Sequence, residues 1–406
     1  MLGQMRVVSF CHYLQGPACT QYLADLGADV IKVEPPEGAF ERRWSGADTF
    51  VDGVSAFLMS ANRNKRSLAI DLKRPEARAI MDRLIEGADV IVENFRPGVM
   101  DRLGLGYDAV SKRKPEIIYA SGTALGATGP AKDRPGQDLL MQARSGLMSV
   151  TGNHESGPVA VGAATVDQHG GALMAMGILA AYVKRLTTGK GTRIETSLFA
   201  SGIDLQSEAL TKYFVSGRDR SVLERDMHVG SWYHEAPYGV YRLADCYVAL
   251  SMNEAAKVAD ALSSPRLAAL NQIDRFQERD VYARALADEL AGRSFADVAR
   301  AFDAAGVWYE RVQYYDDLRE DAQAVHNQAF REVPVAGGER TATLVNHPVR
   351  YDGALPPYKG IPWEAGQHTR EILAELGYGA AEIEALVAEN VVVAPPRRAK
   401  AKTEIA

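Results

Sequence analysis

Apolar positions in the first half of the chain fall into two alternating patterns. Short apolar runs, typical of buried strands, recur at residues 6–10, 29–34, 67–71, 89–93, 117–120 and 192–197. Between such runs, segments such as 75–87 place their apolar residues at helical spacing. Because strands that alternate with helices form a mostly parallel sheet covered on both faces, the pattern predicts an α/β fold.

The first strand, helix and strand have the order of a Rossmann-like unit. The turn after the first strand reads Leu14-Gln15-Gly16-Pro17, without the GxGxxG motif that cradles a dinucleotide. The sequence therefore predicts a Rossmann-like large domain and argues against a dinucleotide site.

The second half of the chain predicts a smaller α/β domain between two linkers. Charges dominate residues 205–229, which we interpret as the first linker, and Gly and Pro are frequent in the second, residues 331–359. Residues 230–330 between them predict a hairpin over 239–251, followed by helices. Residues 360–394 would return to the large domain formed by 1–204, and residues 395–406 form a basic tail that we expect to be disordered.

One carboxylate, Asp167, stands among small and apolar residues just before a long apolar segment, residues 172–183. That segment predicts a buried helix ending near Lys184, Arg185 and Gly189. Asp167 would lie at or just before the first turn, where the helix dipole stabilises a negative charge. Judged alone, an aspartate there is most often an N-cap.

Composition and charge argue against several classes of protein. The chain has 406 residues and a net charge of -6, which argues against a general nucleic-acid binder. The longest apolar run is too short to span a bilayer, and no secretory leader is recognisable. Three cysteines without CxxC spacing predict a reducing cytoplasm, and eight histidines without an HExxH cluster predict no metal site.

Six short motifs are distributed along the chain. They are Gly16 to Thr20, Leu26 to Glu34, Asn62 to Ser67, Glu93 to Gly98, Thr188 to Gly191 and His368 to Leu373. Together they resemble the CoA-transferase family III, also called CaiB/BaiF, which includes formyl-CoA transferase. The likeness extends from Met5 to about Val393. Each motif is short, and their order and spacing carry the resemblance.

The resemblance implies an interlocked homodimer, with the large domain built from both chain ends. It implies that Asp167 is the nucleophile, assisted by Gln15 and Gln137, and that coenzyme A is a substrate. The residues it places against coenzyme A are Leu14, Gln15, Asp71, Leu72, Lys73, Asn94, Phe95, Arg96, Arg102, Gln137 and Asp138. No metal is implied.

An aspartate suits this chemistry because its attack on a thioester leaves a mixed anhydride, which keeps the acyl group activated. Water must be excluded, and small or apolar neighbours such as Ala163, Ala164 and Gly170 fit that need. Backbone N–H groups at the helix start, and others around Gln15-Gly16, would bind the oxyanion. Arg63, Lys65 and Arg66 are additional basic residues near strand ends, and a solvated charged rim is the favoured explanation for them.

The sequence constrains the identity of the substrates less than it constrains the type of reaction. Leu14 and Pro35 replace polar or basic residues of formyl-CoA transferase, which argues against formate and oxalate. The resemblance allows succinyl-CoA or another short acyl-CoA as donor and a carboxylic acid as acceptor. The loop 228–234 is aromatic here, and it either lines the substrate pocket or packs between domains.

Two alternatives remain. Acyl-CoA racemases and epimerases of the same family use a His–Asp pair, but their histidine falls at Gln137, which cannot act as a base near neutral pH. His169 is two residues beyond Asp167 and would point elsewhere on a helix. The second alternative is a non-catalytic CoA-binding protein.

Overall fold

The structure is a computed structural model that describes residues 1–396. The strands are β1 (Arg6–Phe10), β2 (Asp29–Glu34), β3 (Phe50–Val51), β4 (Val54–Ser55), β5 (Lys65–Ile70), β6 (Val90–Glu93), β7 (Ile118–Thr123), β8 (Thr192–Ser197), β9 (Gly239–Arg242), β10 (Tyr247–Leu250), β11 (Tyr309–Arg311), β12 (Phe330–Pro334), β13 (Thr341–Val345) and β14 (Val392–Val393).

The helices connect and cover these strands. They are α1 (Gln15–Asp25), α2 (Phe40–Arg43), α3 (Ala56–Ala61), α4 (Pro75–Glu86), α5 (Val99–Arg102), α6 (Tyr107–Arg113), α7 (Asp138–Arg144), α8 (Leu147–Thr151), α9 (Thr165–Thr188), α10 (Leu198–Asp204), α11 (Ser207–Ser216), α12 (Ala255–Ala261), α13 (Pro265–Ala269), α14 (Arg279–Leu290), α15 (Phe295–Ala305), α16 (Tyr315–Glu320), α17 (Ala322–His326), α18 (Thr369–Glu375) and α19 (Ala380–Ala388).

Seven strands form the central sheet in the order β14-β5-β2-β1-β6-β7-β8. All neighbouring pairs are parallel except β14 and β5, which are antiparallel. The predicted α/β class with a mostly parallel sheet is therefore confirmed. The strand from the end of the chain completes a sheet whose other strands come from its first 200 residues.

Alternate residues of the sheet strands enter two separate cores. On β1, Val8 packs with residues of α4, α18 and α19, whereas its neighbour Val7 packs with residues of α1 and α9. Side chains of a strand point alternately to its two faces, so both faces are covered by helices. This explains why the strands read as continuous apolar runs.

The chain divides into two compact units. Within the described residues, the first contains Met1–Met141, Ala164–Gly202 and residues 322–396, and the second contains Gln142–Ala163 and Ile203–Asp321. The second unit has its own core, in which the antiparallel sheet β11-β10-β9 packs against α12, α14 and α15. The hairpin predicted over residues 239–251 is formed by β9 and β10.

The segment 205–229, which we predicted as a linker, contains the regular helix α11. Every residue of α11 is at least partly exposed, and Phe214 and Val215 are among the exposed apolar residues. Because no residue of α11 is fully buried and charged residues follow it, the segment lacks the continuous apolar face that predicts a helix, and the sequence did not reveal it.

The segment 331–359, also predicted as a linker, carries most of β12 and all of β13. These strands pair as a hairpin, and Val333, Val335 and Leu344 pack against α3. Its Gly and Pro residues mark turns within an ordered structure. Of the predicted basic tail, residues 397–406 lie outside the described part of the chain.

Within residues 1–396, no helix is both long enough and apolar enough to cross a membrane. The same range contains no group of three or more His, Cys, Asp or Glu side chains placed to hold a metal ion.

Candidate active site

The turns that follow β1, β5 and β6 lie at one edge of the sheet, because these strands are parallel. They carry three groups of predicted site residues. Leu14 and Gln15 follow β1, residues 71–73 follow β5, and residues 94–96 follow β6. Ligands of open α/β sheets bind at this carboxyl edge.

Asp167 lies inside the first turn of α9, as its third residue. The N-cap position is Ala164, so an N-cap role for Asp167 is wrong. The cap is supplied by Asp138, whose Oδ1 accepts hydrogen bonds from the N–H of Val166 at 2.8 Å and from the N–H of Asp167 at 3.0 Å. The side chain of Asp167 is therefore not the group that caps α9.

The charge environment of Asp167 differs from the one predicted. Burial and, secondly, the nearby Asp138 carboxylate raise the pKa of Asp167 to about 7. We expected the helix dipole to stabilise the ionised form, but two N–H groups at this helix start already face another carboxylate. A carboxyl of this pKa is a stronger nucleophile once it is ionised.

Asp138 was predicted only to contact coenzyme A, and its position beside Asp167 was not predicted. The contact that caps α9 joins residues 29 positions apart. The one relevant feature of the sequence is an aspartate at the first position of a short helix. This feature does not show which other helix the aspartate caps.

Gln15 is the first residue of α1, and only 3% of its surface is exposed. Its amide Nε2 has no hydrogen-bond partner in the described structure. A Cβ on Gly170 would lie 2.8 Å from this nitrogen, and a Cβ on Gly122 would lie 2.7 Å from Gln15 Oε1, so a side chain at either position would displace the Gln15 amide. Gly170 is three residues from Asp167 and shares its face of α9, which brings Gln15 to the same end of the helix.

Backbone donors at the start of α9 are less available than predicted. The N–H groups of Val166 and Asp167 both donate to Asp138. The Gln15 side-chain amide has a donor without a partner, although the prediction for the oxyanion concerned backbone N–H groups. A buried donor without a partner costs about 1–3 kcal/mol, which favours a ligand that would accept its hydrogen bond.

Gln137 immediately precedes Asp138 and is exposed. Its carbonyl accepts the N–H of Met141 at the start of α7. Gly136 approaches Ala124 so closely that a Cβ on it would lie 2.5 Å from the Ala124 Cβ, which fixes the path of the chain into Gln137.

Some residues predicted to contact coenzyme A bond or pack within the protein itself, and others are exposed. Asn94 Nδ2 donates to the His12 carbonyl at 2.8 Å and Asn94 Oδ1 accepts the His12 N–H at 3.0 Å, so its amide joins the ends of β1 and β6. Asp71 Oδ1 accepts the N–H of Lys73, while Leu72 and Phe95 pack partly on the core. The exposed cations of the set are Lys73, Arg96 and Arg102.

The remaining basic residues considered in the sequence are structural. Arg63 pairs with Asp25 at 2.6 Å and donates to the Val345 carbonyl, which anchors the returning chain. Buried Lys65 donates to two backbone carbonyls and to Asn62 Oδ1. Arg66 forms ion pairs with three carboxylates: Asp29, Glu371 and Glu375. Lys65 and Arg66 also begin β5, at the opposite edge from the site.

The aromatic loop 228–234 packs on α11 within the second unit. Trp232 is buried with its ring 5.9 Å from that of Tyr213, and Lys212 Nζ lies 4.3 Å from the centre of the Tyr233 ring. These contacts give the rings a packing role in the unit to which they belong.

The chain is similar in sequence and in fold to proteins of one known family. The sequence model of CoA-transferase family III matches residues 2–369. A succinyl-CoA:glutarate CoA-transferase of Mus musculus is 33% identical over 402 residues, 96% of this chain and 90% of that protein. An acetyl-CoA:oxalate CoA-transferase of Acetobacter aceti is 32% identical, with 87% of this chain and 90% of that protein covered. The crystal structure of a CAIB/BAIF family protein from Brucella suis has a TM-score of 0.78 and 28% identity, with 92% of this chain and 98% of that chain covered.

The parallel sheet and these matches define an enzyme that transfers coenzyme A between acyl groups. The chain belongs to CoA-transferase family III, and the resemblance read from its motifs is confirmed.

Proposed function

We propose that the enzyme moves coenzyme A from an acyl-CoA donor to a carboxylic acid through a mixed anhydride on Asp167. The observation that carries this proposal is the setting of Asp167. Its carboxyl is half-buried in the first turn of α9, it is relieved of capping by Asp138, and Gln15 lies nearby with an unpartnered amide donor.

In the first step, a carboxylate oxygen of Asp167 attacks the thioester carbon. The C–S bond breaks, coenzyme A leaves as the thiolate, and an aspartyl–acyl anhydride remains. The acceptor carboxylate then attacks the acyl carbon of Asp167, the C–O bond to the donor's acyloxy group breaks, and the donor acid leaves as its carboxylate. The thiolate finally attacks the acceptor's acyl carbon in the new anhydride, and the C–O bond to Asp167 breaks. This restores the Asp167 carboxylate, and no redox partner is needed. Succinyl-CoA and other short acyl-CoAs are the donors to try first.

Gln15 is the proposed donor to the oxyanion of the tetrahedral intermediates. Its side chain is buried, and its amide occupies space that a Cβ on Gly122 or Gly170 would enter, so little reorganisation is expected during the reaction. Gln137 is proposed to orient the acyl group through its amide N–H donors. Neither amide can accept a proton near neutral pH.

Coenzyme A carries phosphates, for which exposed Lys73 and Arg102 are the proposed partners. Charge-assisted contacts are worth about 1.5–3 kcal/mol, so Lys73→Ala and Arg102→Ala should each weaken binding of coenzyme A by roughly ten- to a hundredfold. Calorimetric titration measures this. Lys190→Ala is the matched control, because Lys190 is exposed before β8, at the opposite edge of the sheet. Unchanged affinity in both site variants would place the phosphates elsewhere.

The transferase and racemase alternatives are separated by a proton-exchange experiment. We expect that a chiral 2-methylacyl-CoA incubated in deuterated water shows no enzyme-dependent α-deuterium uptake, because Gln137 cannot be the second base. Coenzyme A should still move to acids in a carboxylate panel followed by mass spectrometry. Rapid deuterium uptake with inversion would support the racemase, and binding of coenzyme A without turnover would support the non-catalytic alternative.

We also propose that the chain forms an interlocked homodimer, as the family resemblance implies. We propose that this dimer is cytoplasmic, and cell fractionation would check its location. The dimer has support from α9, on which Met176, Val183 and Leu186 are 61%, 62% and 70% exposed. Light scattering should give twice the chain mass at micromolar concentration, and Met176→Lys combined with Leu186→Lys should reduce it. A monomeric wild type would contradict the proposal.

A further inference from the structure

Six aromatic rings form one continuous row at the carboxyl edge of the central sheet. In order, the rings of this aromatic row are Phe95, His12, Tyr13, Phe40, Trp44 and Phe57. Neighbouring ring centres are 5.1, 4.9, 4.9, 5.4 and 5.4 Å apart along that order. The row therefore crosses the turns after β6, β1 and β2 and ends on α3.

The middle of the aromatic row is open. Tyr13, Phe40 and Trp44 are 39%, 37% and 48% exposed. Tyr13 also has a φ of 59°, a left-handed conformation that costs a non-glycine residue on the order of 1 kcal/mol. Contiguous exposed apolar surface and local backbone strain are both features of binding sites.

Helix α2 is turned so that Glu41 is buried and Arg42 is half-buried, while Phe40 and Arg43 are exposed. Glu41 pairs with Lys32 at 2.6 Å, and both are almost completely buried. Arg42 contacts both carboxylate oxygens of Glu34, at 2.6 and 2.7 Å. Buried ion pairs give little net stability because of their desolvation. Their evident effect is to hold Phe40 and the following Trp44 toward solvent.

The aromatic row ends beside the proposed nucleophile's helix. Phe57 packs against the small cluster formed by Leu14, Ala18 and Ala61, and Ala164 packs against the same cluster. Leu14 precedes Gln15, and Ala164 is the N-cap residue of α9. An acyl group bonded to Asp167 would have this apolar surface next to it.

The charges of the aromatic row do not favour an anion over the rings. Lys32 and Arg42 are occupied by carboxylates, and burial lowers the pKa of His12, so its imidazole is neutral near pH 7. Aromatic faces carry negative charge density, which repels a second carboxylate. Arg43 is an exposed cation on α2, and replacing it tests directly whether the site prefers a second carboxylate instead.

We infer that the acceptor is an aromatic or otherwise apolar monocarboxylic acid whose hydrocarbon part lies on Tyr13, Phe40 and Trp44. This inference rests on the proposed function. It separates the chain from relatives whose names specify the dicarboxylic acids glutarate and oxalate.

The test is the half-reaction trapped with hydroxylamine, in which the acceptor's thioester serves as donor. The three probes are 3-phenylpropanoyl-CoA, glutaryl-CoA and acetyl-CoA, and kcat/KM is measured for each. Since all three carry the same coenzyme A, the ratios report on the acyl group. We expect 3-phenylpropanoyl-CoA to exceed glutaryl-CoA by at least about tenfold, the size of one good aromatic contact with its buried area.

Variants locate the effect. Trp44→Ala and Phe40→Ala should lower kcat/KM for 3-phenylpropanoyl-CoA by roughly ten- to fiftyfold while acetyl-CoA changes little, and Trp44→Phe should retain most of the preference. Tyr315→Ala, an exposed tyrosine of the second unit, is the matched control. Both ring residues are exposed, so these variants should fold, and circular dichroism checks this.

Several outcomes would overturn the inference. Preference for glutaryl-CoA that is lost in Arg43→Ala would mean that Arg43 reads a dicarboxylate. Equal loss with all three thioesters in Trp44→Ala, together with weaker binding of free coenzyme A, would assign the rings to coenzyme A itself. A changed mass in light scattering would assign them to a second copy of the chain. Hydroxamate from acetyl-CoA but not from 3-phenylpropanoyl-CoA would reject the acid class and leave the proposed function standing, whereas no hydroxamate from any thioester would reject both.

Discussion

Replacing Asp167 by alanine is expected to lower transfer of coenzyme A by at least about a thousandfold, because the variant lacks the nucleophile that forms the anhydride. The measurement is kcat/KM with an acyl-CoA donor and an acid from the carboxylate panel. Binding of coenzyme A should survive, since the phosphate contacts proposed for Lys73 and Arg102 do not involve Asp167. Near-normal turnover in Asp167→Ala would reject the mechanism.

The intermediate itself can be tested in the wild type. Incubation with acyl-CoA followed by hydroxylamine should convert the Asp167 carboxyl, or the bound acyl group, to a hydroxamate detectable by mass spectrometry. The matched control is the same treatment of Asp167→Asn, which retains the shape of the side chain and should give no hydroxamate.

Asp167→Asn is also expected to change the free energy of unfolding. Measuring that change also shows whether the variant is folded. The pKa of Asp167 is raised from 3.8 to about 7 in the folded chain, so the folded state binds more protons than the unfolded state between these values. The wild type therefore loses stability as pH rises through this window. Asparagine has no such loss, and at pH 8 it should gain on the order of 1–3 kcal/mol relative to wild type, a gain absent near pH 3, after discounting for solvent contact. Thermal unfolding at both pH values measures it.

The second large effect is expected from Asp138→Asn, which should shift the acidic limb of the pH–activity profile. In the wild type, kcat/KM should rise with pH through about 7 as Asp167 ionises. Asparagine keeps an oxygen to accept the N–H groups of Val166 and Asp167 but removes the negative charge that helps raise the pKa. The limb should therefore move to lower pH by on the order of one unit, while burial keeps it above the ordinary range of an aspartate.

Asp138→Ala separates the charge from the cap. It should show the same direction of shift and also lose about 1 kcal/mol of stability, because two N–H groups at the start of α9 lose their acceptor. An unmoved acidic limb in both variants would mean that Asp138 does not tune Asp167. Loss of activity at every pH in Asp138→Asn would mean that its charge is required for another step.

The central sheet and its helices could be predicted because their pattern is local. A buried parallel strand such as β1 is apolar on both faces, and α4 has apolar residues on one face, so the period of the sequence distinguishes them. The hairpin of β9 and β10 was predicted for the same reason. Where a segment buries no face within its unit, as in α11, local pattern was insufficient.

The sequence by itself determined the α/β class, the family and the placement of Gln15, Lys73 and Asn94 at strand ends, because parallel strands bring their carboxyl ends together. The tertiary structure decided the chemistry around Asp167. That Asp138 caps α9, that the pKa of Asp167 is raised, and that the Gln15 amide lacks a partner all depend on contacts between residues far apart in the chain. Charge and solvation act through space, so the same motifs read along the chain give the residue types but not the electrostatic environment that sets their reactivity.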